Sequence, residues 1–258
     1  MVAQTITLPN NRKMFKPDPG YVIIDCDFDQ ADARVVAWDA DAPKLKEIFN
    51  DPSRDIHDEN AKTIFGRIDG RTRPLAKRGV HATNYLATAR TLAGSLGISL
   101  KEAEYFIDTW FAAHPQIPDW HDGIEEQLYT TRTIFNAFGY RKVFYDRIDR
   151  CLTEAVAWIP QSTVAIAINK ALYNIHKNLP SVHILIQVHD SLVMQVPRRL
   201  YPGILKDIKR EMTIPIPYSD PLILPTSAEA SALSWGHKKP VTWEGEFEDL
   251  PSKRAAGF

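Results

Sequence analysis

Val182–Val196 reads VHILIQVHDSLVMQV. Two runs rich in β-branched residues flank the polar triplet His189-Asp190-Ser191, the pattern of a β-hairpin closed by a tight turn. Near the other end of the chain, Tyr21–Asp29 (YVIIDCDFD) reads as a strand whose end turns acidic. Strands at both ends with helices between them imply an antiparallel sheet assembled from sequence-distant pieces. This is an α+β architecture in which residues 51–150 form the insertion.

The intervening pattern is helical. Val35, Val36, Trp38, Leu45, Ile48 and Phe49 recur at helical spacing with a break near Pro43, and a short helix fits Ile56–Phe65 up to Gly66. Ser99 with Glu102 is a capping box that opens a helix to about His114, and another helix fits Ile117 to about Tyr129. TIFNAFGYRKVFY reads as two short strands joined near Gly139. A long helix runs from about Leu152 to Asn178, with a kink or reset expected at Pro160. After the hairpin, a helix over about Arg198–Met212 and a strand near Leu222–Ala230 complete the order. Lys253 and Arg254 read as a solvated tail.

Composition narrows the class. The 258 residues are 44% hydrophobic and 24% charged, which fits a globular protein and excludes disordered, collagenous and coiled-coil classes. Net charge is −1, so any grip on nucleic acid must come from a local patch. Arg67–Arg90 supplies one: Arg67, Arg71, Arg73, Lys77, Arg78 and Arg90 face only Asp69. Two cysteines, Cys26 and Cys151, make no disulfide framework, so a reducing intracellular setting is the expectation. No apolar run reaches signal-peptide or membrane-spanning length.

Three carboxylates, Asp25, Asp27 and Asp29, alternate along the first strand and share one face if the strand persists that far. Taken alone, an acidic strand end is a solvated turn, and a turn aspartate such as Asp190 serves the backbone. Together they change meaning. Carboxylates from two strands of one sheet can hold a pair of divalent cations about 3.5–4 Å apart, the arrangement that supports in-line displacement at phosphorus. Arg73, Lys77, His81 and Tyr85 are each four apart, which keeps them on one helical stripe about 18 Å long. The stripe is cationic at its N-terminal end and aromatic at its C-terminal end. A nucleoside triphosphate has the same polarity.

The order DFDQADARVVAW, DIH, RPLAKRGVHATNY, a helix containing PQST, then QVHDSL resembles the family A DNA polymerases, the polymerase I-like enzymes, over about residues 12–235. MFKPDPGYVIIDCDFDQ is similar to the lead-in these enzymes place before their first catalytic aspartate, in a phage-like or bacterial style. The resemblance implies that Asp27 and Asp190 are the metal-binding catalytic carboxylates, with the Phe28 carbonyl as a further metal ligand. It implies that Gln30, Asp32, His57, Arg73, Lys77, His81 and Tyr85 contact the incoming nucleotide, and that Arg34, Gln161, Gln187 and His189 contact DNA. Asp32 stands where the family usually has glutamate, Leu86 where it has glycine and Ser191 where many members have glutamate. Pro74 disfavours helical geometry at Arg73.

The implied architecture is an incomplete right hand without a thumb: palm from residues 1–50 and 151–258, fingers from 51–150. The implied activity is that of a DNA-directed DNA polymerase, adding dNTPs to a primer 3′-hydroxyl on primer-template DNA. Two Mg²⁺ ions, or Mn²⁺ in their place, would serve as cofactors, in the cytoplasm of a bacterial or phage-infected cell, with no membrane involved. A second polypeptide would supply the thumb, the exonuclease-like domain or both. The competing reading is a non-catalytic DNA-binding or assembly module that needs a partner chain for activity. A histidine-aspartate phosphohydrolase, suggested by His57, His121-Asp122 and His189-Asp190, fits less well, because such sites are built on helices and His189-Asp190 is flanked by strand residues.

Overall fold

A computed structural model describes residues 10–244; the expected tail at Lys253 and Arg254 lies outside them. In chain order the elements are β1 (Tyr21–Phe28), α1 (Ala31–Asp39), α2 (Pro43–Asn50), α3 (Ile56–Phe65), α4 (Thr72–Asn84), α5 (Ala89–Leu96), α6 (Leu100–Ala113) and α7 (Gln116–Thr131). There follow β2 (Thr133–Phe135), β3 (Arg141–Val143), α8 (Ile148–Asn178), β4 (His183–Val188), β5 (Ser191–Pro197), α9 (Ile204–Met212), β6 (Pro215–Ile216), β7 (Leu222–Ile223), β8 (Thr226–Ser231) and β9 (Lys239–Val241). The described residues divide into two compact units, one of residues 10–29, 165–215 and 223–244, the other of residues 30–164 and 216–222.

The first unit holds the sheet, in the order β4-β5-β1-β8-β9 with antiparallel neighbours. This is the expected α+β sheet from distant segments. β1 lies at its centre and is buried on both faces from Val22 to Cys26, which suits a run that is apolar except for Asp25 better than a half-exposed strand would. Ile23 and Val193 pack with Trp235 in a small apolar cluster. The last part of α8 buries the stripe Ala167, Ile168, Ala171 and Ile175. It is tied to α9 by the Asn178 amide, which donates to Glu211 at 2.8 Å.

The second unit is helical. Asp55 caps α3, accepting the N–H groups of His57 and Asp58 at 2.8 and 3.0 Å, and Gly66 ends that helix in the left-handed region. Asp69 likewise accepts from Arg71 and Thr72 at the start of α4. Gly79 lets α4 approach α6: a Cβ there would run into the Phe106 ring. Ile124, Leu128, Ile134, Phe144 and Val156 belong to a core that joins α7, the β2–β3 hairpin and α8. The Ser99–Glu102 capping box forms as expected.

Several expectations change. α8 begins at Ile148 and stays helical through Pro160, so there is no reset; the Thr163 hydroxyl donates to the Ile159 carbonyl at 2.8 Å beside it. α9 starts at Ile204 rather than near Arg198, since turns occupy the chain up to Pro202 and Gly203. The strand expected over Leu222–Ala230 is broken at Pro225, which has no N–H for a ladder, into β7 and β8. By length and mean hydropathy, 1.3 in its best window, α8 is able to cross a membrane, although Gln161, Ser162 and Thr163 interrupt its apolar run. Half of that window is buried inside the protein, as in the core helix of a globular unit.

His114, at the end of α6, is buried against Trp110 with ring centroids 4.2 Å apart, and its Nδ1 has no hydrogen-bond partner. Burial, assisted by the Lys44 charge, pushes its pKa down to about 4. The unfolded chain therefore binds the proton first as pH falls. Stability carried by the neutral ring is complete above about pH 6.5 and is lost towards pH 4, by about 3 kcal/mol for a fully buried ring. Thermal melts of His114→Phe between pH 7 and 4 are expected to show a shallower loss than the parent; parallel curves would contradict this.

Candidate active site

The β1–β5 register decides where the carboxylates meet. Asp27 lies opposite Ser191, and the Phe28 N–H donates to the Asp190 carbonyl at 3.2 Å, which extends the pairing into the turn. His189 adopts φ +54° to close that turn. Gln187 is exposed and donates to the His189 carbonyl at 3.4 Å, while the Ser191 hydroxyl donates to Val188 at 3.1 Å. Asp25, Asp27, His189, Asp190, Glu229 and Lys238 line one cleft of about 270 Å³. Burial, then the charge of Asp190, and then its hydrogen bond, push the Asp27 pKa up to about 7, with Asp25 and Asp29 adding to the effect.

The third carboxylate of the strand departs from expectation. β1 ends at Phe28, and the Asp29 N–H turns to the Pro225 carbonyl at 2.8 Å, so Asp29 does not continue the alternation. Asp25 does share the cleft, as a buried anchor. Its Oδ2 accepts from the Trp235 indole at 2.8 Å and from Lys238 at 2.5 Å, and Lys238 also pairs with Glu229, the cross-strand neighbour of Asp25. Sequence reading passed over Lys238, Glu229 and Arg12, whose guanidinium stacks 4.6 Å from the Trp235 ring centroid. Nothing in their spacing marks them, because they meet only through the β8–β9 pairing and the N-terminal turn.

The donor set can be tested against a metal. Among the described residues no cluster of three or more His, Cys, Asp or Glu side chains could hold an ion. Asp27 and Asp190 nevertheless repel each other across the cleft, and Lys238 is occupied by Asp25 and Glu229. Two oxygen donors without a neutralising side chain suit a hard cation such as Mg²⁺, which is held by one or two carboxylates and completes its shell with water and phosphate. The residues present fit that group. The Phe28 side chain is buried, so only its main chain is available to a ligand.

In the second unit α3 and α4 bring the expected cations together. Arg73 donates to Asp58 at 2.7 Å and to Asp55 at 2.8 Å, so two carboxylates already engage it. Lys77 is exposed one turn further on. His57 is half-buried with an unpartnered Nδ1, and burial, then the Lys77 charge, lower its pKa. Pro74 sits in the first turn of α4, where no intrahelical N–H is needed, and Arg73 is helical despite the steric restriction that a following proline imposes. The His81 and Tyr85 rings meet edge to face at 4.7 Å. Tyr85 ends the helix, and its hydroxyl donates to Asp32 at 3.2 Å, which joins α4 to the first turn of α1. Leu86 takes φ +61°, the conformation glycine would adopt freely.

The remaining expected residues are exposed or engaged elsewhere. Gln30 is exposed at the start of α1 with φ +55°, and Gln161 is exposed on α8. Arg34 donates to the Phe49 carbonyl at 3.0 Å and stacks on that ring at 4.7 Å. Sequence reading also missed Asn84, a buried hub that accepts from the Trp110 indole at 2.9 Å on its side chain and from His121 at 2.9 Å on its carbonyl.

Repulsion between Asp27 and Asp190 stores a cost in the folded state above neutral pH. Without divalent cations at pH 8, Asp190→Asn is expected to raise the melting temperature by about 2–4 °C, on the order of 1 kcal/mol after solvent screening. The gain should shrink below pH 6, where Asp27 is protonated. An unchanged or lowered melting temperature at pH 8 would contradict the repulsion.

The model of DNA polymerase family A matches residues 3–234. The thermostable DNA polymerase I of Thermus filiformis is 31% identical over 199 residues, covering 72% of this chain and 24% of that protein. The Helicobacter pylori enzyme (strain J99) named DNA polymerase I is 29% identical over 200 residues, covering 74% and 22%. The polymerase domain of Pol1 from M. smegmatis, solved with DNA primer-template and dNTP, superposes with a TM-score of 0.77 at 22% identity, covering 87% of this chain and 42% of that one. That likeness establishes the fold. This chain spans about a quarter of the length of the curated relatives it matches. It belongs to DNA polymerase family A.

Proposed function

We propose that the chain is the palm-and-fingers portion of a DNA-directed DNA polymerase, adding dNTPs to a primer 3′-hydroxyl on primer-template DNA. The observation that carries this reading is the approach of Asp190 to Asp27 at adjacent strand ends, where the Asp190 charge adds to the cost of ionising the partly buried Asp27. Bound Mg²⁺, or Mn²⁺ in its place, supplies charge that activates the attacking oxygen and stabilises the leaving one. Asp27, Asp190 and the Phe28 carbonyl would hold such ions, with Asp27 in its ionised form.

The chain's other residues bind and orient. Lys77 and Arg73 take the triphosphate, with Arg73 aimed by Asp55 and Asp58, and neutral His57 contributes a hydrogen bond. His81 and Tyr85 flank the base and sugar, and Tyr85 holds Asp32 and its neighbour Gln30 at the sugar. Gln161, Gln187 and His189 contact the primer-template, and Arg34 supports them from its seat on Phe49. Support for these ligands comes from the M. smegmatis neighbour, whose structure holds primer-template and dNTP. The thumb and the exonuclease-like segments we assign to a second polypeptide, and the place of action to the cytoplasm.

Primer extension tests the reading, run with the chain alone and with its upstream gene product. Asp190→Ala is expected to abolish extension while the melting curve stays cooperative; undiminished extension would contradict the assignment. Lys77→Ala is expected to raise the KM for dNTP by about 10- to 100-fold, the worth of a lost hydrogen bond to a charged group. An unchanged KM would remove Lys77 from the nucleotide site.

A further inference from the structure

The β2–β3 hairpin and its flanks carry a pattern the active site does not use. Over residues 129–150, Arg132, Arg141, Lys142, Arg147 and Arg150 face only Asp146 and Asp149, a surplus of three positive charges in a chain of net charge −1. Tyr129, Phe135, Tyr140 and Tyr145 interleave with them, and all four are exposed, Phe135 by 50% and Tyr145 by 91%. The register sorts the faces. Ile134 and Lys142 form one cross-strand pair, with Ile134 wholly buried in the core. Phe135 lies directly opposite Arg141, and Thr133 opposite Val143, on the outward face. Phe144 is buried and continues the ladder through its N–H to the Arg132 carbonyl at 2.8 Å.

A hairpin that merely covered a core would present one apolar face and one polar face. This one is aromatic on the outside as well. Its cations are unevenly committed: Lys142 pairs with Glu154 and Arg147 with Asp149, while Arg132 donates to the neutral Asp146 carbonyl. Arg141 and Arg150 form no ion pair among the described residues. Flat apolar rings beside free guanidinium groups match a ligand that alternates flat apolar faces with anions. Single-stranded DNA is such a ligand: its unpaired bases stack on aromatic rings and its phosphates meet arginine. A duplex hides the base faces, and an apolar protein partner would leave Arg141 desolvated and unpaired.

We propose that the outward face of this hairpin binds single-stranded DNA, by stacking on Phe135 and Tyr145 and by phosphate contact through Arg141. A buried residue of the hairpin loop reaches α8 beside a position already argued to touch DNA. The Asn136 side-chain amide, in the hairpin loop, donates to the Ser162 hydroxyl at 3.0 Å, next to Gln161 on α8. That the bound strand is the unpaired part of a template rests on the polymerase reading; the binding itself does not.

The test is fluorescence anisotropy of the full chain with a labelled 20-nucleotide oligo-dT, in EDTA and without nucleotide, across a salt series. Phe135→Ala and Tyr145→Ala are each expected to weaken binding about tenfold, and Phe135→Trp to retain it. Arg141→Ala is expected to reduce the slope of log affinity against log salt by about 0.7. Tyr145, almost wholly exposed, can be changed without a folding penalty, and circular dichroism checks the rest. Binding and slopes unchanged in all three alanine variants would overturn the proposal. So would alanine variants that weaken binding of a duplex of the same length as much as that of oligo-dT, or variants whose only effect is to dissociate a dimer in sedimentation. A chain that binds oligo-dT through this face yet extends no primer with its partner would refute the polymerase reading alone.

Discussion

Everything in the candidate site depends on the register between β1 and β5. That register sets Asp27 against Ser191 and, through the Phe28 N–H, fixes Asp190 one residue away. A slip of one residue would send Asp27 to the opposite face and leave Asp190 alone in its turn. The register is held by burial: β1 is enclosed on both sides from Val22 to Cys26, so no slipped pairing buries the same apolar set. The fold thus imposes on two carboxylates a proximity they would avoid in water; burial, and then the Asp190 charge, raise the pKa of Asp27. Local repulsion maintained by a stable scaffold is the usual mark of a site built for a ligand of opposite charge.

Charge is distributed to the same end in each unit. Beside the carboxylate cleft, Lys238 is committed to Asp25 and Glu229 and so does not neutralise Asp27 and Asp190. In the helical unit Arg73 is committed to Asp55 and Asp58, which fixes its direction, while Lys77 one turn on is exposed. Committed ions give geometry and uncommitted ones give attraction. The near-zero net charge of the whole chain averages these local imbalances, including the basic hairpin at residues 129–150.

Much of this was legible in sequence where the information is local. The alternation around His189-Asp190, the cap at Ser99 and the stop at Gly66 each depend on a few adjacent residues, and each formed as read. α5 was missed although Thr88 and Gly97 bracket it as cap residues, because its apolar face is reduced to Leu92 and Leu96. Other features were not legible at all. Lys238 reaches Asp25 across 213 residues, and the role of Asn84 as a buried hub needs Trp110 and His121 to arrive from two other helices. Pro74 was misjudged: its missing N–H costs nothing in the first turn, and the helix starts at Thr72 despite the steric restriction that proline places on Arg73. Asp29 failed because alternation holds only while the strand does.

The central claim is that Asp27 and Asp190 together form a divalent-cation site. Its most direct measurement is Mn²⁺ binding to the metal-free chain by electron paramagnetic resonance, compared with Asp27→Asn and Asp190→Asn and repeated from pH 6 to 8. Affinity in the parent chain should rise through about pH 7 as Asp27 gives up its proton, and both variants should lose that binding. Binding that survives in either variant, with the pH dependence of the parent, would contradict the account.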